Sequence, residues 1–158
     1  MKTDKRAALL CAAVIAVSMA LIRLGDDGLP ALFGGNGAVI VRGIARVQTA
    51  FNFGVSFSLL SGMPFAATLL SALLLLAMLA FIAFARFPMS SKAALAVMFS
   101  GGLSNLLSRL KHGFVVDWIC LEFMDFPVFN IADIFITLGA AAFVLTLFFR
   151  SDHERASV

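Results

Sequence analysis

Two aspartates lie at the edges of long apolar sequence, Asp117 in Gly113-Phe-Val-Val-Asp117-Trp118 and Asp133 in Phe129-Asn130-Ile-Ala-Asp133. An ionisable group at or inside a bilayer is costly, so it usually faces a protein interior or a wet cavity and serves a function. Two carboxyls close enough to share one proton cannot both ionise cheaply, and such a pair can activate water without a metal. Their type and placement therefore point to general acid–base chemistry at a membrane edge. A structural reading of Asp133 competes with this one. Asn130 could cap a helix whose first turn carries Asp133, where the helix dipole favours negative charge.

The elements that must position these groups follow from composition. Of 158 residues, 61% are apolar and only 13% charged, with a mean hydropathy of +1.02. Those values lie far from soluble averages. The reading is an all-α membrane protein with four transmembrane helices and a small extracytoplasmic β-sheet between helices 1 and 2. Its single integral membrane domain covers 1–158, with spans over 7–23, 65–85, 92–108 and 133–149 and outer loops over 24–64 and 109–132. Ala7 to Ile22, Ala93 to Ser108 and Ile134 to Phe149 are charge-free runs of 16 residues each. Such a run covers about 24 Å at helical rise, against a hydrocarbon core of roughly 30 Å. The flanking turns must enter the membrane, which puts Asp133 at or slightly below its surface.

Basic residues near the span ends set the orientation. Lys2, Lys5, Arg6, Arg86, Lys92, Arg150 and Arg155 fall on one side if four spans alternate, which makes both termini cytoplasmic. Asp117 and Asp133 then lie on the outer face. The net charge of +3 reflects this topology, not affinity for nucleic acid. A cleaved signal peptide is the competing reading of the first span, because Ser18-Met-Ala20 is a small-x-small pattern after a basic start. Cys11 reads as a small core residue, and Cys120 lies in the outer loop a bilayer away.

The segment from Leu24 to Pro64 is too long for a bundle turn and is rich in glycine, so it needs structure of its own. Phe51, Phe53, Val55, Phe57 and Leu59 alternate with Asn52, Gly54, Ser56 and Ser58, the period of a strand with one apolar face. Such a sheet covers the bundle's outer end or offers an edge to an extended peptide. In the third span, Ser100-Gly101-Gly102-Leu103-Ser104-Asn105 lets helices approach closely in lipid. Asn105 and Arg109 share one helical face near the Asp117 loop and could hold a carboxylate or a backbone segment. An arginine snorkelling to the interface is the simpler reading of Arg109. Trp118 reads as an aromatic interface anchor.

The residue inventory excludes other chemistries. His112 and His153, on opposite sides of the membrane, cannot jointly ligate haem or zinc. There is no phosphate-loop or dinucleotide fingerprint. A serine–lysine dyad would depend on Lys111, which has no apolar pocket to lower its pKa. No cofactor is expected.

Four motifs occur in one order: Asn52-Phe-Gly54-Val-Ser-Phe57, Gly101-Gly102-Leu-Ser-Asn105-Leu-Leu-Ser108-Arg109, Gly113-Phe-Val-Val-Asp117 and Phe129-Asn130-Ile-Ala-Asp133. In this order, with four spans and a long first outer loop, the chain resembles the lipoprotein signal peptidase (signal peptidase II) family. The resemblance implies a bacterial inner-membrane aspartyl endopeptidase that cuts the signal peptide before a diacylglyceryl-modified cysteine. It implies Asp117 and Asp133 as the catalytic dyad, and Asn52, Gly54, Asn105, Arg109 and Asn130 as substrate-binding residues. The implied partners are a diacylglyceryl-prolipoprotein, membrane lipid and a cyclic peptide inhibitor.

The chain departs from the family pattern in three places. Ser108 stands where the family has Asn-Leu-x-Asp-Arg, so an acidic residue beside the site is missing. The first span lacks the family's aspartate followed four residues later by lysine. Val55 and Ser56 replace alanines after the first glycine. A specialised paralogue is one consequence. Two further readings stand beside the peptidase: a non-catalytic relative that binds lipidated peptides, and a four-helix transporter using both aspartates as an ion site.

Overall fold

The computed structural model describes residues 5–54, 60 and 62–156, the last seven by backbone alone. Among them, helix α1 (Lys5–Leu32) leads into strands β1 (Val39–Val41) and β2 (Ala45–Asn52). Helices α2 (Pro64–Phe84) and α3 (Met89–His112) follow, then strand β3 (Val115–Leu121) and helix α4 (Ile131–Ala156). All four helices are long and apolar enough to cross a membrane. The strands connect helix ends on one side of the bundle, so the sheet caps that side.

Helix α3 packs against α1, α2 and α4 and is both the least apolar and the most enclosed of the four. Missing side chains make this possible. A Cβ on Gly139 of α4 would lie 2.7 Å from Met98 Cβ, and one on Gly101 of α3 would lie 2.8 Å from Ile136 Cγ1. The small-residue run of α3 thus serves the close packing expected of it. Helix α2 touches mainly α3 and turns Leu69, Leu73, Leu76 and Phe84 outward. A cluster of Cys11, Ile82, Leu95 and Ala96 closes the end of the bundle away from the sheet, so Cys11 is the core residue it was expected to be.

The small sheet expected between helices 1 and 2 is present, with a third strand added to it. Its order is β1-β2-β3, antiparallel throughout, so one strand comes from the second outer loop and not from the segment between α1 and α2. The strand expected from Phe51 onward lies earlier, over Ala45–Asn52, and the alternation over 55–59 lies outside the described residues. Val47 pairs with Ile119 while Ala50 pairs with Asp117, so β2 spends one extra residue between the two pairs. That bulge breaks the alternation of β2, whereas on β3 Asp117, Trp118 and Ile119 are all buried and the backbone N–H groups of Trp118 and Ile119 both donate to Phe129 O. Bulges of this kind re-aim side chains beside functional sites.

Helix α1 also exceeds its expected span. With 28 residues it is about 42 Å long at ~1.5 Å per residue, and it runs through Gly25, Gly28 and Pro30. Tertiary packing outweighs the poor helix propensity of these residues. Leu29 packs against the Val47, Trp118 and Ile119 cluster under the sheet.

Candidate active site

Two chain reversals bring the polar residues together. Gly113 ends α3 in the left-handed region at φ 82°, a conformation cheap only for glycine, and the chain turns directly into β3. After β3 the chain doubles back. The backbone N–H groups of Trp118 and Ile119 both donate to Phe129 O, at 2.9 and 2.8 Å, and Phe129 N–H donates to Ile119 O at 3.1 Å. Asn130 is thereby laid beside Asp117 just before α4 begins.

Asn130 does two jobs at once. As the cap of α4 its Oδ1 accepts from Asp133 N at 2.9 Å, while its own N–H donates to Asp133 Oδ2 at 3.2 Å. This reciprocal pair is a capping box with Asn and Asp in the two positions. The capping reading of Asn130 and Asp133 is therefore correct, and it coexists with a site. Asn130 Nδ2 donates to Asp117 Oδ1 at 2.8 Å and to Asn105 Oδ1 at 3.2 Å. One buried amide so ties both carboxylates to each other's surroundings.

The remaining donors complete a connected set. Asn105 Nδ2 donates to Asp133 Oδ1 at 2.9 Å, and Asn52 Nδ2 donates to Asp117 Oδ2 at 3.0 Å. Asn52 Oδ1 in turn accepts from Gly54 N at 3.0 Å. The Gly54 carbonyl accepts from Arg109, through Nε at 3.2 Å and through Nη2. The main chain after β2 is thus held at both ends of one residue. Arg109 is buried, which corrects the snorkelling reading, and its cation acts on both Asp117 and Asp133. All seven residues expected at the site belong to one hydrogen-bonded network.

Asp117 is 3% exposed, and burial pushes its carboxyl up to about 7, with the negative charge of Asp133 adding to the rise. The Asn52 hydrogen bond, the Arg109 cation and the Asn130 hydrogen bond oppose that rise. A carboxyl placed so holds a proton at neutral pH that an exposed aspartate would have lost. Among the described residues, no three His, Cys, Asp or Glu side chains converge as metal ligands.

Ser108, in the place of the family's acid, folds back to donate to Ser104 O at 3.1 Å. Trp118 is not an interface anchor: it is 3% exposed, and its indole N–H donates to Asp26 Oδ1 at 2.8 Å. Asp26 is the residue that sequence reasoning missed. Gly25, Gly28 and Pro30 around it read as the end of a helix, so the sequence carried no signal for it.

A family model described as signal peptidase (SPase) II matches residues 7–149. The chain belongs to the signal peptidase II family. Two solved bacterial membrane enzymes, determined by the in meso method, share its fold. One has a TM-score of 0.71 at 23% identity over 97% of this chain and 95% of that one. The other has a TM-score of 0.67 at 24% identity over 93% and 97%. A lipoprotein signal peptidase of Streptococcus pyogenes serotype M2 is 42% identical over 60 residues, 38% of this chain and 40% of the relative. One from Lactococcus lactis subsp. cremoris is 51% identical over 47 residues, 30% and 31% of the two chains. These matches span about two fifths or less of each curated relative's length. As a member of the signal peptidase II family with four spanning helices, the chain is a bacterial membrane protein.

Proposed function

We propose that this protein is an aspartyl endopeptidase of the bacterial inner membrane that removes the signal peptide from diacylglyceryl-modified prolipoproteins. The observation that carries the reading is the Asn130 bridge: one capped helix start holds Asp133 while the same side chain holds Asp117. A bundle that needed only a helix cap would have no use for a second buried carboxylate in that network.

Asp133, near the N-terminus of α4 and accepting two N–H bonds, is the ionised base that takes a proton from water. The water oxygen attacks the scissile carbonyl carbon. Protonated Asp117 donates a hydrogen bond to the carbonyl oxygen as negative charge develops there. When the C–N bond breaks, a proton passes to the leaving nitrogen, giving a free amine on the modified cysteine and a new carboxyl on the signal peptide. The pair ends with one shared proton, as it began. Gly54, held by Asn52 and Arg109, keeps its stretch of main chain in place beside the scissile segment, and the same cradle would receive a cyclic peptide inhibitor. The acyl chains stay in the bilayer while the scissile bond meets the dyad at the outer surface.

The test is cleavage of a purified diacylglyceryl-prolipoprotein in detergent by the wild type, Asp117→Asn and Asp133→Asn. Release of the signal peptide by the wild type, lost by at least about 10³-fold in each variant, is the expected result. Ser108, which leaves the site one carboxylate short of the family pattern, favours a second reading, a relative that binds lipidated peptide without cutting it. Wild-type binding without cleavage would establish that reading instead.

A further inference from the structure

Asp26 is bonded to the two neighbours of the proposed active-site residues through a single oxygen. Its Oδ1 accepts the indole N–H of Trp118 at 2.8 Å and the backbone N–H of Ile131 at 2.8 Å. Trp118 follows Asp117 on β3, and Ile131 follows Asn130 as the first residue of α4. Both distances are those of well-formed N–H···O hydrogen bonds. Residue 25 matters for the same contact. Gly25 is buried against Ile131, where a Cβ would lie 3.0 Å from Ile131 Cγ1, so α1 comes close enough for the next side chain to reach across. One turn on, Leu29 packs on Trp118 and Ile119. The upper end of α1 is thus joined to β3 and to the start of α4 at one point.

We propose that Asp26 is a positioning residue: its Oδ1 locks strand β3 to the N-terminus of α4 and so fixes Asp117 and Asp133 in register with each other. This rests on the peptidase reading above. Asp117 and Asp133 sit on different elements, and among the described residues Asn130 and Asp26 bond to both of those elements at the point where the aspartates lie. Asn130 does so from the site; Asp26 does so from α1. Asp26 lies on α1 where the helix runs on through Gly25 and Gly28, so the contact to Ile131 is made from within the helix.

The role predicts a distinct pattern among variants. Asp26→Ala leaves the indole N–H and the Ile131 N–H without an acceptor, while Asp26→Asn keeps a carbonyl oxygen in place for both. In the prolipoprotein assay, kcat of Asp26→Ala is expected to fall about 10- to 100-fold with KM within about threefold, the behaviour of a misplaced reacting group. Asp26→Asn is expected to recover to within about threefold of wild type, since the acceptor is kept and only charge assistance is lost. Trp118→Phe, which removes one donor and leaves the other, is expected to fall between them, and it covers the case in which Asp26→Ala does not fold. Trp118 is the single tryptophan of the chain, so its indole N–H can be followed by hydrogen exchange in detergent, with no reliance on activity. Exchange is expected to quicken at least about tenfold in Asp26→Ala, as a lost hydrogen bond requires.

Full kcat in folded Asp26→Ala or in Trp118→Phe, a loss carried by KM alone, or unchanged indole exchange would each overturn the proposal. So would an Asn variant as impaired as the Ala variant. A wild type that cuts no prolipoprotein would instead overturn the peptidase reading, and indole exchange would still decide whether the clamp exists.

Discussion

The Asp117 carboxyl gives the site its pH dependence. Burial and the charge of Asp133 raise it to about 7, so in its proposed role as acid Asp117 is competent below that value and loses its proton above it. The rate should therefore decline on the alkaline side near pH 7, while protonation of the base sets the acid side. Asn52 donates to Asp117 Oδ2 at 3.0 Å, favouring the charged form and holding the carboxyl down. Asn52→Ala should accordingly move the alkaline limb of kcat upward in pH; a limb that stays in place or moves down would contradict the assignment of Asp117 as the acid. Stability follows the same sign. The folded carboxyl is raised above its ordinary value of 3.8, so between those two values the native chain holds a proton that the unfolded chain releases. The contribution is full below about 3.8 and declines as pH rises toward about 7. These residues were legible in the sequence because amides and carboxylates are conspicuous at the edges of apolar runs. Asp26 was not, because its role depends on how far α1 continues and on which indole faces it.

At the scale of elements, the geometry of the pair depends on how closely α3 and α4 approach, since Asn105 on α3 reaches Asp133 on α4 at 2.9 Å. Gly101 and Gly139 set that approach from opposite helices. A methyl on Gly139 would meet the Met98 backbone nitrogen at 2.5 Å, and a helix axis cannot yield as a side-chain tip can. Gly139→Ala should lower stability by about 1–3 kcal/mol, the usual cost of overpacking, and reduce cleavage as the Asn105 bond lengthens. Gly28→Ala in α1 is the matched control. Nothing lies within 4 Å of its added Cβ, and helix propensity should make it neutral or up to about 1 kcal/mol stabilising. Thermal unfolding in detergent compares them; equal midpoints would show that α3 and α4 do not pack as described. The small residues of α3 revealed this packing in advance. Strand β3 gave no such signal, because its Asp117-Trp118-Ile119 run is buried without alternation and its partner β2 lies about 70 positions away in the chain.

For the whole molecule, the sheet and the polar network sit at one end of the bundle, and four spans among the described residues leave the start of α1 and the end of α4 at the other. Seven of the twelve lysines and arginines lie on the terminal side, close to span ends. On the sheet side the balance is weaker than its count suggests, because Arg109 is buried against Gly54 and cannot serve as a loop charge for topology. The charge bias therefore favours cytoplasmic termini more strongly than the sequence tally alone, and with them the proposed placement of Asp117 and Asp133 on the outer face. Fusing an export-dependent phosphatase after residue 35 or after residue 126 should give active reporter, and a fusion at the C-terminus should give none. A fluorescent protein at the C-terminus should show the converse. Inverted results would put Asp117 and Asp133 in the cytoplasm, on the wrong side for a signal segment emerging outside with its lipidated cysteine at the outer surface. The peptidase reading would then lose its substrate even with its geometry intact, so orientation tests function as directly as the aspartate variants do.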